Sequence, residues 1–166
     1  LAHDLGNPPF GHSGERAIST FFSEGKGMPL KGQLSAEQWE DLIHFEGNAN
    51  AFRLLTHQFE GRRKGGFVLT YSTLASIVKY PFSSSLAGRK SKFGFFTTEE
   101  DSFHRIAEEL GMKKLNETPL KYARHPLVYL VEAADDICYQ MMDIEDAHKL
   151  KILTTPVSYT HLTLPT

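Results

Sequence analysis

Cysteine is almost missing from this 166-residue chain: Cys138 is the only one, which excludes an internal disulfide framework and fits a reducing compartment. No apolar run approaches the ~20 residues of a bilayer span, and no signal peptide precedes the first motif. A cytosolic location is therefore expected. Charge of one sign is also lacking. Eighteen Lys and Arg stand against twenty Asp and Glu, a formal net charge of -2, which argues against a generally basic nucleic-acid binder but leaves local basic clusters open. What remains, 40% hydrophobic and 23% charged residues, suits one globular domain or a piece of a larger one.

The chemistry is concentrated in LAHDLGNPPFGHSGE, residues 1–15. His3 and Asp4 are adjacent, and a neutral imidazole nitrogen with a hard carboxylate oxygen suits Mn, Fe, Co, Ni or Mg. In Gly6-Asn7-Pro8-Pro9-Phe10-Gly11, two prolines forbid helix while the flanking glycines permit positive φ, so the chain must turn. His12 and Glu15 follow at i, i+3, a spacing that puts both on one face of a new helix. Ser13 is the expected cap.

Further on, Ala17, Ile18, Phe21 and Phe22 mark one face of a short helix over Gly14 to Ser23, and residues 25–34 read as a loop. Ser35-Ala36-Glu37-Gln38 has the form of a capping box, so a helix should begin at Ala36 with Trp39, Leu42 and Ile43 inward. Phe52 and Leu55 are expected in the core. Thr70 to Val78 reads as a short apolar helix that stops before Pro81, with a strand as the rival because of its β-branched content. Phe82 to Phe96 reads as a mobile surface loop, from its serine run and basic cluster. Thr97 with Glu100 predicts a second capping box, opening a helix whose Phe103, Ile106, Ala107 and Leu110 face inward until Gly111 stops it.

The longest predicted helix runs from Pro126 to Leu150, with Leu127, Leu130, Val131, Ala134, Cys138 and Met141 as an apolar stripe. Asp135, Tyr139 and Asp143 form a row at i, i+4, i+8, spanning ~12 Å along one face. Read alone, its carboxylates are an acidic face in water.

The extended string HDxGNPPFGHxGE resembles the HD-domain hydrolases and, within them, the bacterial deoxyguanosine triphosphate triphosphohydrolases. FEGNANAFR (Phe45–Arg53), LTYSTLASIVKYP (Leu69–Pro81), KFGFF (Lys92–Phe96) and RHPLVYLVEAADDICYQMMDIEDA (Arg124–Ala147) resemble that family in the same order. The resemblance covers nearly all of residues 1–150, and Asn7 stands where many HD nucleotide hydrolases carry histidine. It implies an all-α fold, an incomplete HD-domain helical bundle over residues 1–155 whose long helix carries the last metal ligand. Residues 156–166 resemble a translated library adapter and are expected to lie outside the native fold.

The resemblance further implies hydrolysis of a deoxynucleoside triphosphate, dGTP being the expected one, to deoxynucleoside and tripolyphosphate. It assigns His3, Asp4 and Asp135 to a divalent ion, Mn, Mg or similar, together with a histidine upstream of residue 1. His12 is the expected acid/base and Glu15 its orienting partner. Arg53, Lys79 and Lys92 are candidates for phosphate contacts, and Tyr139 and Asp143 for the sugar. A homo-oligomer is expected at full length. The alternatives are an HD phosphodiesterase acting on another nucleotide, or a non-catalytic module that oligomerises or binds single-stranded DNA through Arg62, Arg63, Lys64, Arg89, Lys90 and Lys92. Lacking the implied upstream histidine and a helix over its apolar N-terminal face, the 166-residue polypeptide alone should be inactive and prone to associate. Tripolyphosphate release by that purified polypeptide would show that the upstream ligand is dispensable.

Overall fold

A computed structural model describes residues 2–61, 66–88 and 92–154. The basic residues Arg62, Arg63, Lys64, Arg89 and Lys90 and the expected tail at 156–166 lie outside the described residues. The chain divides into two compact units, Leu1–Val128 and Tyr129–Thr166.

The first unit opens with a short 3-10 turn, Ala2–Asp4, followed by α1 (His12–Ser23), α2 (Ala36–Ile43), α3 (Gly47–Thr56), α4 (Tyr71–Ile77) and α5 (Glu100–Glu109). A two-stranded antiparallel ribbon, β1 (Lys114–Asn116) and β2 (Lys121–Tyr122), closes it. α6 (Leu127–Lys149) contributes its first two residues to this unit and the rest to the second. The architecture is all-α apart from the ribbon, which the sequence reading did not anticipate.

Local signals set several boundaries. The Ser35 hydroxyl accepts from the Gln38 N–H while the Gln38 side chain accepts from the Ser35 N–H, the reciprocal pair expected of a capping box. Thr70 caps α4 by accepting from the Thr73 N–H, and α4 is a helix, not a strand. Gly111, at φ 62°, lets the chain leave α5 in the left-handed region.

Other boundaries differ from expectation. α1 starts at His12, and its cap position is Gly11, with no side-chain cap; Ser13 instead accepts from Arg16. Thr97 does not cap α5, because its N–H donates to the buried Asp41 carboxylate and its residue opens a separate 3-10 turn, Thr97–Glu99. Residues 25–34 contain a further 3-10 turn, Met28–Gln33. Much of Phe82–Phe96 is core and not surface loop: Ser83, Ser84, Ala87, Phe93, Phe95 and Phe96 are all buried.

The main core joins α3, α4, α5 and the ribbon through Phe52, Leu55, Leu74, Ile77, Phe95, Phe103, Ile106 and Tyr122. Phe103 is its centre, stacked on Phe95 at 4.7 Å and meeting Phe52 edge-on at 5.7 Å. Such aromatic pairs add about 0.5–1.5 kcal/mol beyond area burial. α1 packs less completely: Ala17 and Phe21 are exposed and Phe22 is half-buried, its ring edge-on to Trp39 at 6.3 Å. On α6 the predicted stripe is largely exposed, Leu130 at 66% and Met141 at 62%.

The N-terminal turn rests directly on the backbone of α3. A methyl group at Gly6 would lie 2.1 Å from the Ala51 nitrogen and 2.2 Å from the Gly47 carbonyl oxygen. Neither backbone can yield without unravelling a buried helix. Gly6→Ala should therefore cost at least the roughly 1–3 kcal/mol of an overpacked core, while Gly32→Ala, where the added carbon meets nothing within 4 Å, should stay within about 0.5 kcal/mol. Denaturant unfolding of both variants checks this; equal losses would place the Gly6 turn away from α3.

Candidate active site

Two prolines and the two residues that follow them set the geometry. Phe10 and Gly11 both take positive φ, 68° and 51°, and Phe10 is 91% exposed. The chain reverses there, so the 3-10 turn Ala2–Asp4 and the first turn of α1 both border the N-terminal end of α3. On the first side, His3 Nε2 lies 3.3 Å from Asp4 Oδ2, and Asn7 Nδ2 donates to Asp4 Oδ1 at 2.9 Å. The Asn7 amide thus holds one carboxylate oxygen and directs the other toward the imidazole. Asn50 Nδ2 donates to the Gly6 carbonyl at 2.9 Å, fastening the turn to α3.

On the second side, His12 Nδ1 and Glu15 Oε2 are 2.7 Å apart, the contact that i, i+3 spacing on α1 allows. Glu15 is held in turn: its Oε1 accepts from the Gly47 N–H at 2.8 Å, and Lys92 Nζ lies 3.7 Å from Oε2. The imidazole, 76% exposed, keeps Nδ1 on Glu15 and leaves Nε2 for a ligand. Burial alone would push the Glu15 carboxyl up, but the His12 and Gly47 hydrogen bonds and the Lys92 ammonium outweigh it and hold the group below its ordinary value.

The remaining sequence-predicted residues fall in four places. Lys92 belongs to the Glu15 cluster and pairs most closely with Glu46, at 2.8 Å. Arg53 Nη1 donates to Glu99 at 2.7 Å and to Thr98 at 2.8 Å, so its guanidinium already serves a buried carboxylate. Lys79 lies in the bend after α4, half-buried. Asp135, Tyr139 and Asp143 all lie on α6 in the second unit, where helical geometry stacks them one turn apart. Sequence reading missed Glu46 and Gly47, although both sit in the FEGNANAFR block. Glu46 caps α3 from the N-cap position, accepting from the Asn48 and Ala49 N–H groups, a position more often held by Ser, Thr, Asp or Asn.

No protein-family model matches the chain. Similar proteins are named deoxyguanosinetriphosphate triphosphohydrolase-like protein, from Pseudomonas aeruginosa, 47% identical over 161 residues, and from Synechocystis, 41% identical over 164 residues. A deoxyguanosinetriphosphate triphosphohydrolase of Yersinia enterocolitica is 34% identical over 194 residues. These matches cover 92%, 92% and 98% of this chain but 35%, 37% and 36% of the relatives. The chain is a homologue of the deoxyguanosine triphosphate triphosphohydrolase-like proteins, spanning about a third of their length.

The Glu15 environment has a measurable consequence for folding. Its carboxyl sits below the ordinary value of 4.5 when folded, so the unfolded chain takes up the proton first as pH falls. The stabilisation is therefore fully present above about pH 5 and is lost as pH drops through the folded value. The difference in unfolding free energy between the wild-type protein and Glu15→Gln should be largest near neutrality and shrink below pH 4.5. A difference constant from pH 3 to 7 would mean that Glu15 gains nothing from His12, Gly47 and Lys92.

Proposed function

We propose that the protein containing this chain is a metal-dependent hydrolase of deoxynucleoside triphosphates, dGTP being the expected substrate, releasing deoxynucleoside and tripolyphosphate. The observation that carries the reading is the His12–Glu15 pair, buttressed by the Gly47 N–H, one turn of chain from the His3–Asp4 pair. The names of the relatives support the substrate class.

The donor set fits a divalent cation. Two ligand atoms bound to one ion at about 2.1 Å and roughly 100° apart are separated by about 3.2 Å, and His3 Nε2 and Asp4 Oδ2 stand 3.3 Å apart. His3 and Asp4 would hold the ion, with Asp135 as the further carboxylate that the family resemblance assigns. When bound, such an ion supplies Lewis-acid polarisation of a phosphate oxygen and a more acidic water. Asn7 keeps the Asp4 carboxylate aimed, as hydrogen-bond partners of ligands do.

The chain's own groups then account for proton transfer. With Nδ1 engaged by Glu15, His12 Nε2 gives or takes a proton at the attacking water or the departing 5'-oxygen. Glu15 fixes the ring's tautomer and stabilises the imidazolium form. Lys79 meets the triphosphate, while Arg53 and Lys92 reach it only with the donors left over from Glu99 and Thr98 and from Glu46 and Glu15. On α6, Tyr139 packs against the sugar at C2' and Asp143 accepts from the 3'-hydroxyl, a charge-assisted bond worth roughly 1.5–3 kcal/mol.

Ion chromatography of products from the full-length protein and dGTP decides the reaction: tripolyphosphate is expected, and pyrophosphate or inorganic phosphate as the primary product would exclude it. Within that assay, His12→Ala should lower kcat by roughly 10²-fold or more with metal content retained. Asp135→Ala should lose metal and turnover together. Metal loss on His12→Ala would make His12 a ligand, and full metal retention with wild-type turnover in Asp135→Ala would remove Asp135 from the site.

A further inference from the structure

Glu46 is a carboxylate with no part in the reaction just described, yet it is 1% exposed and fully occupied. Its Oε2 accepts from the Asn48 N–H at 2.7 Å and the Ala49 N–H at 3.2 Å, and its Oε1 from Lys92 Nζ at 2.8 Å. These contacts run to Glu15 by two routes. The first is the backbone: capping fixes the first turn of α3, whose leading residue Gly47 donates to Glu15 Oε1 at 2.8 Å. The second is the ammonium, which Glu46 holds 3.7 Å from Glu15 Oε2, near enough to balance its charge and far enough to leave the 2.7 Å contact to His12 intact. Gly47 also leaves no spare room, for a methyl group there would lie 2.2 Å from Asn7 Oδ1 and 3.1 Å from Glu15 Oε1.

We propose that Glu46 is a positioning residue: through the Gly47 N–H and the Lys92 ammonium it sets the placement of Glu15, and through Glu15 the orientation of the His12 imidazole. The assignment rests on the proposed role of His12. Without the Glu46 charge, Lys92 is drawn to the nearest remaining carboxylate, Glu15, and competes with His12 for Oε2. The capping bonds need only a side-chain acceptor, so Glu46→Gln retains them and removes the charge. Glu46→Asp retains the charge and withdraws the carboxylate by one methylene, a second probe should the glutamine variant not fold.

In the full-length protein, Glu46→Gln should lower kcat for dGTP about tenfold, the lower end for loss of a group that orients a reacting residue, and KM, which the displaced Lys92 also affects, should change by less than kcat. In a His12→Ala background the same substitution should lower kcat less than about twofold, because effects relayed through one residue do not add. A structural role would give equal losses in both backgrounds, and that result, like unchanged kcat in the single variant, would overturn the proposal. A readout independent of turnover is the ¹⁵N resonances of the His12 ring. They should move in Glu46→Gln and less in Glu46→Asp, which keeps the charge that holds Lys92; unmoved ring resonances in Glu46→Gln would overturn the positioning role. If the unsubstituted protein releases no tripolyphosphate, the function proposed above falls, and the resonances alone decide whether Glu46 orients His12.

Discussion

The contact on which the site depends is the seating of a glycine turn on the backbone of one short helix. With Gly6 pressed against Ala51 and the Gly47 carbonyl, and Asn50 fastening the Gly6 carbonyl, residues 2–7 have one place to lie. The turn that follows is stiffened by Pro8 and Pro9, so α1 has little freedom in how it leaves. His3–Asp4 and His12–Glu15 are thereby fixed relative to one helix end instead of to each other through a flexible loop. Positioning of this kind matters because reactivity falls steeply with small misplacements of the reacting groups.

The elements around α3 also hold three buried carboxylates. Asp41, Glu46 and Glu99 are each at most 5% exposed, and burial pushes all three upward as acids, against the partial compensation of their partners. Each has an answering donor: the Thr97 N–H for Asp41, Lys92 for Glu46, Arg53 for Glu99. Buried ion pairs rarely stabilise more than apolar side chains of the same volume would. Their use here is directional, since Glu99 holds Arg53, in the last turn of α3, against the Thr97–Glu99 turn, and Glu46 holds Lys92 beside Glu15.

What the sequence revealed follows from the range of the interactions involved. The Ser35–Gln38 box and the His12–Glu15 pair are set by three-residue spacings, and both are present. The Thr97–Glu100 box has the same form and fails, because a carboxylate 56 positions earlier in the chain captures the Thr97 N–H. Phe82–Phe96 fails for a related reason. Its serines and lysines signal solvent, but Phe93 and Phe96 pack with Ala49 and Ala87, a partnership that local composition does not carry. The pairing of Lys92 with Glu46 spans 46 positions and has no local signature.

The identity of the capping residue explains why this pairing is tied to the site. A Ser or Asn at position 46 would answer the Asn48 and Ala49 N–H groups as well, since capping requires one acceptor oxygen. It would leave no anion for Lys92. A glutamate has a second oxygen on a longer stem, so one side chain closes the start of α3 and anchors an ammonium at the same point. The cap and the charge are then a single object: any shift of Glu46 moves the Gly47 N–H and Lys92 together, and Glu15 is touched by both. An electrostatic contact built onto a helix terminus in this way inherits the rigidity of the backbone, which a pair of surface side chains does not have.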